Sequence, residues 1–393
     1  MKNKKLWQVA QSGHTLPILS PSKQLIGSGV NKTLAFMISD DFAFKAKKDG
    51  RIDKIDKENK LVFLQYIDGT RDAIDLGVVL DKNSNMGFYI HQEFKLVYKE
   101  GEAFKAGDVI AYNPSYFEGK GKNIDYCPGT LAKVAIASGD FAFEDSTMIC
   151  ESLGKRCSAK INELKQVALG KNAVIKKLIK IGDHIDTGDV ILEYMNSFDD
   201  PDTAEFLQSL GKELSDEQLE SITNDTVKTK YPGEVTNLEI YYNCPFEELS
   251  PSLQSVIKKY KATRTSRMNA MAGIQGGNVK IPPLEQVDSK KVGKKEFPDD
   301  GGVIINIWVE YIDEMGMGDK LTYSTALKGV ISRVLTKDEA PLSEYRQEDP
   351  VEAILTPTGI ISRMTSDIYS MCFGNKVLVE LGKQIREIWK GNR

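Results

Sequence analysis

From Leu16 to about Ala142 short apolar runs alternate with Gly, Asp and Asn turns, as in Lys60-Leu-Val-Phe-Leu-Gln-Tyr66 and Asp108-Val-Ile-Ala-Tyr112. Runs of this length with such punctuation predict strands, and their succession predicts a barrel or sandwich. Between Asp199 and Asn224 the period lengthens: Phe206, Leu207, Leu210, Leu214 and Leu219 recur at three- and four-residue steps behind Asp200-Pro-Asp202, which predicts a helix with its start. A second helical segment is expected near Leu253 to Tyr260. The stretch from Asn269 to Asp300, rich in Gly, Pro and Lys, reads as a linker or a loop that orders on assembly. Gly302-Val-Ile-Ile-Asn-Ile-Trp-Val-Glu310 then predicts a strong strand, and an amphipathic helix is expected from about Lys376 to Trp389.

One pattern occurs twice. Tyr98-Lys-Glu-Gly-Glu-Ala-Phe-Lys-Ala-Gly-Asp-Val-Ile-Ala111 returns as Lys180-Ile-Gly-Asp-His-Ile-Asp-Thr-Gly-Asp-Val-Ile-Leu192. Paired Gly-acid turns reverse a strand inside a small barrel, because Gly accepts a positive φ at no steric cost. Biotinyl and lipoyl carrier domains use the same grammar, but they present a modified lysine on an exposed hairpin, and no such hairpin follows either copy. The repeat is therefore read as architecture.

Composition narrows the class without naming a chemistry. The chain has 393 residues, 41% apolar content and a net charge of −4, which fits two or three globular domains and argues weakly against a free-standing nucleic-acid binder. Basic runs at Lys45 to Arg51, Lys120 to Lys122 and Lys171 to Lys180 read as solvated faces. Cys127, Cys150, Cys157, Cys244 and Cys372 are scattered with no C-x-x-C pair, and with three histidines in the chain neither a zinc site nor a disulfide framework is indicated. Reduced, mostly buried thiols are expected, as are a cytoplasmic location and no membrane partner, since no apolar run reaches a spanning length.

Several stretches, in one order, resemble the β (second-largest) subunit of cellular DNA-dependent RNA polymerases. They are Pro21 to Val30, Gly101 to Ala111, Gly129-Thr-Leu-Ala-Lys-Val-Ala135, Phe143-Glu-Asp-Ser146, Gly318-Asp-Lys-Leu-Thr-Tyr-Ser-Thr-Ala-Leu-Lys-Gly-Val-Ile-Ser332, Glu339-Ala-Pro341 and Pro350 to Met364. The stretch from Gly318, similar to the family's "GDKMAGRHGNKGVIS", is the most specific. The resemblance implies a mainly β fold with some α: a double-psi β-barrel interrupted by an inserted flap domain, with a C-terminal helix. It divides the chain into 1–149 (first part of the barrel), 150–300 (flap-like insert), 301–366 (second part of the barrel) and 367–393 (helical segment).

What the family does implies roles for single residues. Lys320 and Lys328 match two lysines that hold RNA phosphates near the growing 3′ end, and Arg363 matches an arginine on the incoming nucleotide's phosphates. Glu144 and Asp145 match an acidic pair that approaches a nucleotide-borne Mg²⁺ through water. The catalytic Mg²⁺ itself is expected on a β′-like partner, so the chain is expected to be a nucleotidyltransferase subunit, inactive alone. Phe206, Leu207 and Leu210 occupy the place of a flap-tip helix that docks a promoter-specificity factor; packing within the flap is an equal alternative. The implied partners are an N-terminal β-like subunit, β′-like subunits, that factor, template DNA, RNA product and nucleoside triphosphates.

The chain also departs from the pattern. The family's Arg-His-Gly between the lysines is Ser324-Thr-Ala326, the Asn before Phe-Glu-Asp is Ala142, and Gln11 to Pro17 lacks the family's Arg. The β lobes and the clamp-anchor signature are not found, which resembles the split, divergent β-like subunits of giant bacteriophages. Two other readings stay open: a biotinyl- or lipoyl-type carrier domain, and an assembly protein that keeps the barrel without catalysis.

Overall fold

The computed structural model describes residues 16–27, 29–76, 79–82, 89–195, 224–274, 276–279, 286–323, 327–342, 344 and 350–391. The elements that build the site are, in chain order, strands β1 (Gly50–Asp56), β2 (Leu61–Tyr66), β3 (Arg71–Asp75), β4 (Val134–Ile136), β5 (Ser146–Cys150), β6 (Ala159–Gly170) and β7 (Gly233–Tyr242), helix α1 (Pro251–Ala270), strands β8 (Gly302–Asp313), β9 (Lys320–Tyr323), β10 (Leu327–Leu335) and β11 (Ala353–Leu355), and helices α2 (Pro357–Ser362) and α3 (Asp367–Gly391). The fold is mostly β with a few helices, as the strand-length apolar runs predict.

The strongest of those runs becomes the spine of a six-stranded sheet. β8 lies between β6 and β7 and pairs antiparallel with β6 along its whole length, from Gly170↔Gly302 to Ala159↔Asp313. Both faces of a central strand are covered, so its sequence is continuously apolar rather than alternating. Val303, Ile305, Ile307 and Val309 enter one core with Leu169, Ile191, Leu192, Val235 and Ile240. On the other face Ile304 packs with Tyr241 and Phe297, and Trp308 meets Tyr89 edge-on at 4.5 Å. The one polar residue in the middle of the run, Asn306, is buried but satisfied: it accepts from Gln166 at 3.0 Å and donates to Glu239 at 3.1 Å.

The duplicated Gly-acid pattern is one turn used repeatedly. At Gly101, Gly107, Gly182, Gly188 and Gly318 φ lies between +79° and +92°, the left-handed value required at the third position of a type II turn. The acid that follows each Gly closes the turn twice. Its backbone N–H donates to the first residue's carbonyl, and its carboxylate accepts that residue's N–H, at 2.8 to 3.0 Å for Lys99→Glu102, Lys105→Asp108, Lys180→Asp183, Asp186→Asp189 and Gly316→Asp319. These acids are committed to backbone.

α1 runs ten residues past the expected end at Tyr260. Ser250 caps it by accepting from Leu253 N–H, and Pro251 occupies the first turn, where a missing N–H costs nothing. Leu253 and Ile257 are buried in the core under β8, while Ala270, Met271 and Ile274 pack on Leu61, Phe63 and Ala73 of β2 and β3. Arg267 pairs with the buried Asp75. The helix therefore bridges two cores. Beyond it, Gly276 and Gly277 pair in parallel with Asp72 and Ala73, and Asn278 accepts from Asp75 N–H at 3.0 Å. A Cβ on Gly277 would lie 1.8 Å from Ala73 O, so only glycine permits this approach. Part of the expected linker is thus sheet, and Lys291–Val292 pairs with Lys295–Glu296 in a small hairpin.

Cys127, Cys150, Cys157 and Cys244 are free and buried, and Cys372 is free and exposed. No described helix is long and apolar enough to cross a membrane.

Candidate functional site

The five sequence-predicted polar residues, Glu144, Asp145, Lys320, Lys328 and Arg363, all lie on or beside one five-stranded sheet, in the order β4-β11-β5-β10-β9. Its strands are short and of mixed direction: β4 runs parallel to β11, β5 parallel to β10, and the rest are antiparallel. Ile149, Leu153, Ile331 and Ala353 fill one core beneath it, and Leu327, Leu355, Ile360 and Ile368 another.

β9 and β10 form a hairpin with Lys320 opposite Val330 and Thr322 opposite Lys328. Along β10 burial alternates: Leu327, Gly329 and Ile331 face the sheet, whereas Lys328 and Val330 face solvent. Cross-strand partners share a face. Lys320 and Lys328 are therefore diagonal neighbours on the exposed face, with backbones roughly 7–8 Å apart. The turn at Gly316 to Asp319 fixes this register. Gly318 N–H donates to Ile331 O at 2.8 Å, and Ile331 N–H donates to Asp319 O at 2.9 Å.

Gly329 fastens the hairpin to the acidic loop. A Cβ there would lie 2.6 Å from Thr147 Oγ1 and 2.9 Å from Asp145 O, so β10 can lie against β5 only because the side chain is absent. Next to it, Val330 N–H donates to Asp145 O at 2.8 Å. The loop before β5 turns back on itself, with Ala142 N–H donating to Gly139 O, Ser146 N–H to Phe143 O, and Glu144 at a φ of +50°. Glu144 and Asp145 stay exposed, while Ala142 is buried.

Arg363 arrives from the far side. Thr356 caps α2, Pro357 begins it, and the helix abuts the acidic loop so closely that a Cβ on Gly359 would lie 3.2 Å from Glu144 O. At the end of α2 Arg363 Nη2 donates to Asp145 Oδ1 at 2.5 Å, with both side chains partly exposed. A half-exposed pair of this kind adds at most about 1 kcal/mol to folding. Its consequence is orientation: the guanidinium is held beside the hairpin with donors left over for a planar anion. The chain neighbours of these charges include exposed apolar side chains, Phe143 beside Glu144, and Ile361 and Met364 beside Arg363.

The arrangement presents three cations and two carboxylates on a solvent-facing surface. Lysines spaced as Lys320 and Lys328 are can each meet a phosphate of one strand, and Arg363 can grip another bidentately. The described residues contain no group of three or more His, Cys, Asp or Glu able to hold a metal ion. Sequence reasoning found the charged residues but missed Gly329 and Gly359, whose only signal is a glycine inside an element pattern. Phe206, Leu207 and Leu210, and the Ser324-Thr-Ala326 tip, lie outside the described residues.

Residues 154–387, which take in β6 to β11, α1, α2 and most of α3, match the family described as RNA polymerase Rpb2, domain 6. The chain belongs to that family. Among characterised relatives, the DNA-directed RNA polymerase subunit beta of Caldicellulosiruptor saccharolyticus is 26% identical over 359 residues, covering 89% of this chain and 25% of the relative. That of Alkaliphilus oremlandii is 26% identical over 363 residues, covering 92% and 26%, and that of Acetivibrio thermocellus is 24% identical over 401 residues, covering 99% and 28%. The β-like chain spans about a quarter of the length of these relatives. The N-terminal part, with Glu144 and Asp145, falls outside the family match but inside the similarity to the whole subunits.

Proposed function

We propose that this β-like chain is a subunit of a multisubunit DNA-dependent RNA polymerase and supplies phosphate contacts to its active centre. Lys320 and Lys328 hold backbone phosphates at the RNA 3′ end, Arg363 grips the triphosphate of the incoming nucleotide, and Glu144 with Asp145 faces the nucleotide's Mg²⁺. One observation carries this reading. Three separate segments, the acidic loop, the hairpin and the end of α2, converge so that both lysines share one exposed face of the hairpin, and Asp145 ties that hairpin to Arg363 through its carbonyl on one side and its carboxylate on the other.

Nucleotidyl transfer depends on aligning an anionic triphosphate with a 3′ hydroxyl and on neutralising charge as it develops. Fixed cations on a rigid sheet suit that task. The donor set also fits a water-mediated contact to Mg²⁺. Mg²⁺ keeps octahedral oxygen ligation and holds its waters, whereas this site offers two exposed carboxylates, one of them paired with Arg363. When bound, the ion would neutralise triphosphate charge; the catalytic ion is assigned to a β′-like partner chain.

The same reading takes the site-bearing sheet as part of a double-psi barrel and 150–300 as a flap-like insert, with Phe206, Leu207 and Leu210 docking a promoter-specificity factor. It extends to a β-like partner carrying the lobes, and the departures at Ser324-Thr-Ala326 favour the divergent, phage-type branch. The experiment is to purify the chain from its native context and identify what accompanies it. Co-purification with a chain bearing an aspartate-triad motif, and template-dependent synthesis by the complex but not by the isolated chain, is the expected result. Synthesis by the pure chain, or a complex without such a partner, would overturn the proposal.

A further inference from the structure

β11 has three residues, and all of them, Ala353, Ile354 and Leu355, are buried. Register is ordinarily chosen by an alternation of apolar and polar side chains, because a slip of one residue turns the wrong set inward. β11 has no such alternation. It has neither the length nor the pattern to fix its own place, yet α2 and Arg363 hang from its end, and Arg363 must reach Asp145 at 2.5 Å. A slip of one residue would move the strand by about 3.3 Å, more than that contact can follow.

The restraint sits at the opposite end of the strand. β11 lies between β4, which runs parallel to it, and β5, which runs antiparallel, with Thr147 opposite Leu355 and Ile149 opposite Ala353. The Asp145–Arg363 pair therefore closes the end where β5 begins, and Glu352 stands where β5 finishes. There the Glu352 backbone N–H donates to Lys133 O at 2.9 Å, and its carbonyl accepts from Cys150 N–H at 2.8 Å. One carboxylate oxygen accepts from Lys133 N–H at 2.9 Å and the other from Arg156 Nη2 at 2.7 Å. Arg156 ends the short helix Glu151–Arg156 that follows β5, and its Nη1 donates to Leu131 O at 3.0 Å and to Thr130 Oγ1 at 3.2 Å. Two side chains thus gather the approach to β4, the exit from β5 and the entry to β11. Both are partly exposed, and such pairs add little to folding. Their effect is on relative position: the β5–β11 pair carries one ion pair at each end.

We propose that Arg156 and Glu352 are positioning residues that lock the register of β11 against β4 and β5, and so set the reach of Arg363 toward the incoming nucleotide without touching it. This rests on the role given to Arg363 above.

The test is single-nucleotide addition on a preformed RNA–DNA scaffold by the assembled complex, with Arg156→Gln, Arg156→Lys, Arg363→Ala and the combination of Arg156→Gln with Arg363→Ala. Arg156→Gln should raise the apparent KM for nucleoside triphosphate about 3- to 10-fold and leave the saturating rate within about 2-fold of wild type. Arg156→Lys keeps the charge but can reach only one of the partners, so it should recover part of the loss. In the Arg363→Ala background Arg156→Gln should have no further effect on KM, because the lock acts only through that guanidinium. If Arg156→Gln does not assemble, Glu352→Gln, which retains an acceptor for Lys133 N–H, carries the same cycle. A lowered denaturant midpoint with an unchanged KM, or an equal rise in KM with and without Arg363, would overturn the lock and leave the role of Arg363 intact. An unchanged KM in Arg363→Ala itself would instead remove the reading on which the lock rests.

Discussion

The two principal sheets of this protein solve different problems with different sequence. The six-stranded sheet is built on β8, whose twelve residues pair along their full length with β6 and whose apolar side chains from Val303 to Val309 are buried on both faces. The site-bearing sheet is built of strands of three to nine residues, mixes parallel and antiparallel pairing, and exposes the candidate residues Lys320 and Lys328 on one face. In the first, each buried Val or Ile contributes about 1.5–3 kcal/mol of burial and identity matters through volume. In the second, Gly329 and Gly359 hold backbones together by having no side chain, and the charged residues add little to stability. The longest buried strand and the exposed candidate charges thus fall on separate sheets.

Substitutions should separate them. The largest loss of stability is expected from Ile305→Ala: the side chain is fully buried in the core under β8, and its removal should cost about 2–5 kcal/mol in equilibrium denaturant unfolding, with no specific effect on nucleotide addition by correctly assembled complex. Gly329→Ala should cost less, about 1–3 kcal/mol, because the new methyl must displace Thr147 and the Asp145 carbonyl. That substitution should also abolish most nucleotide addition, since it moves the hairpin away from the acidic loop. Equal activity loss in the two variants at matched stability would erase the distinction between the sheets.

Asp145→Asn keeps the size of the side chain and removes its charge. Unfolding should shift by less than about 1 kcal/mol, while the apparent KM for nucleoside triphosphate rises as Arg363 loses its orientation. A stability change without a kinetic one would make the pair merely structural. Thiols offer the gentlest probe. Burial pushes the Cys157 thiol up to about 11 and also raises those of Cys244 and Cys372, so access decides the order and the exposed Cys372 should be labelled first. As denaturant is added below the global transition, Cys157, beneath the short-stranded sheet, should become reactive before Cys244, in the core under β8. The reverse order would make the short-stranded sheet the more stable of the two.

Much of this was legible in the sequence, and unevenly so. β8 was plain because a strand buried on both faces is written as an unbroken apolar run. The Gly-acid turns were plain because the turn requires a left-handed residue and a hydrogen-bonding acid in fixed order, and the fifth copy, at Gly318, was legible once the rule was known. α1 was read ten residues short: beyond Tyr260 its Lys, Thr and Arg residues have no apolar period, and tertiary contacts at Ala270 and Met271 hold the helix instead. The strand at Gly276 and Gly277 was hidden for the opposite reason, since glycines read as linker until the partner backbone is known. The polar residues of the site were recognisable one by one through family resemblance, but no spacing rule joins Asp145 to Arg363 across more than two hundred positions.

The central claim, that Lys320 and Lys328 act on nucleic-acid phosphate, is tested most directly by single-nucleotide addition on a preformed RNA–DNA scaffold with the assembled complex. Lys320→Ala or Lys328→Ala removes a charge-assisted contact worth about 1.5–3 kcal/mol, so the addition rate should fall roughly 10- to 100-fold, with unchanged subunit content by gel filtration and unfolding within about 0.5 kcal/mol of wild type. Gln at either position should be nearly as harmful, because it keeps a donor and loses the charge. The double substitution should lose less than the product of the single ones, as expected where two groups hold one RNA end. Variants that assemble and extend RNA at the wild-type rate would show these lysines to be solvated surface charges and would contradict the account.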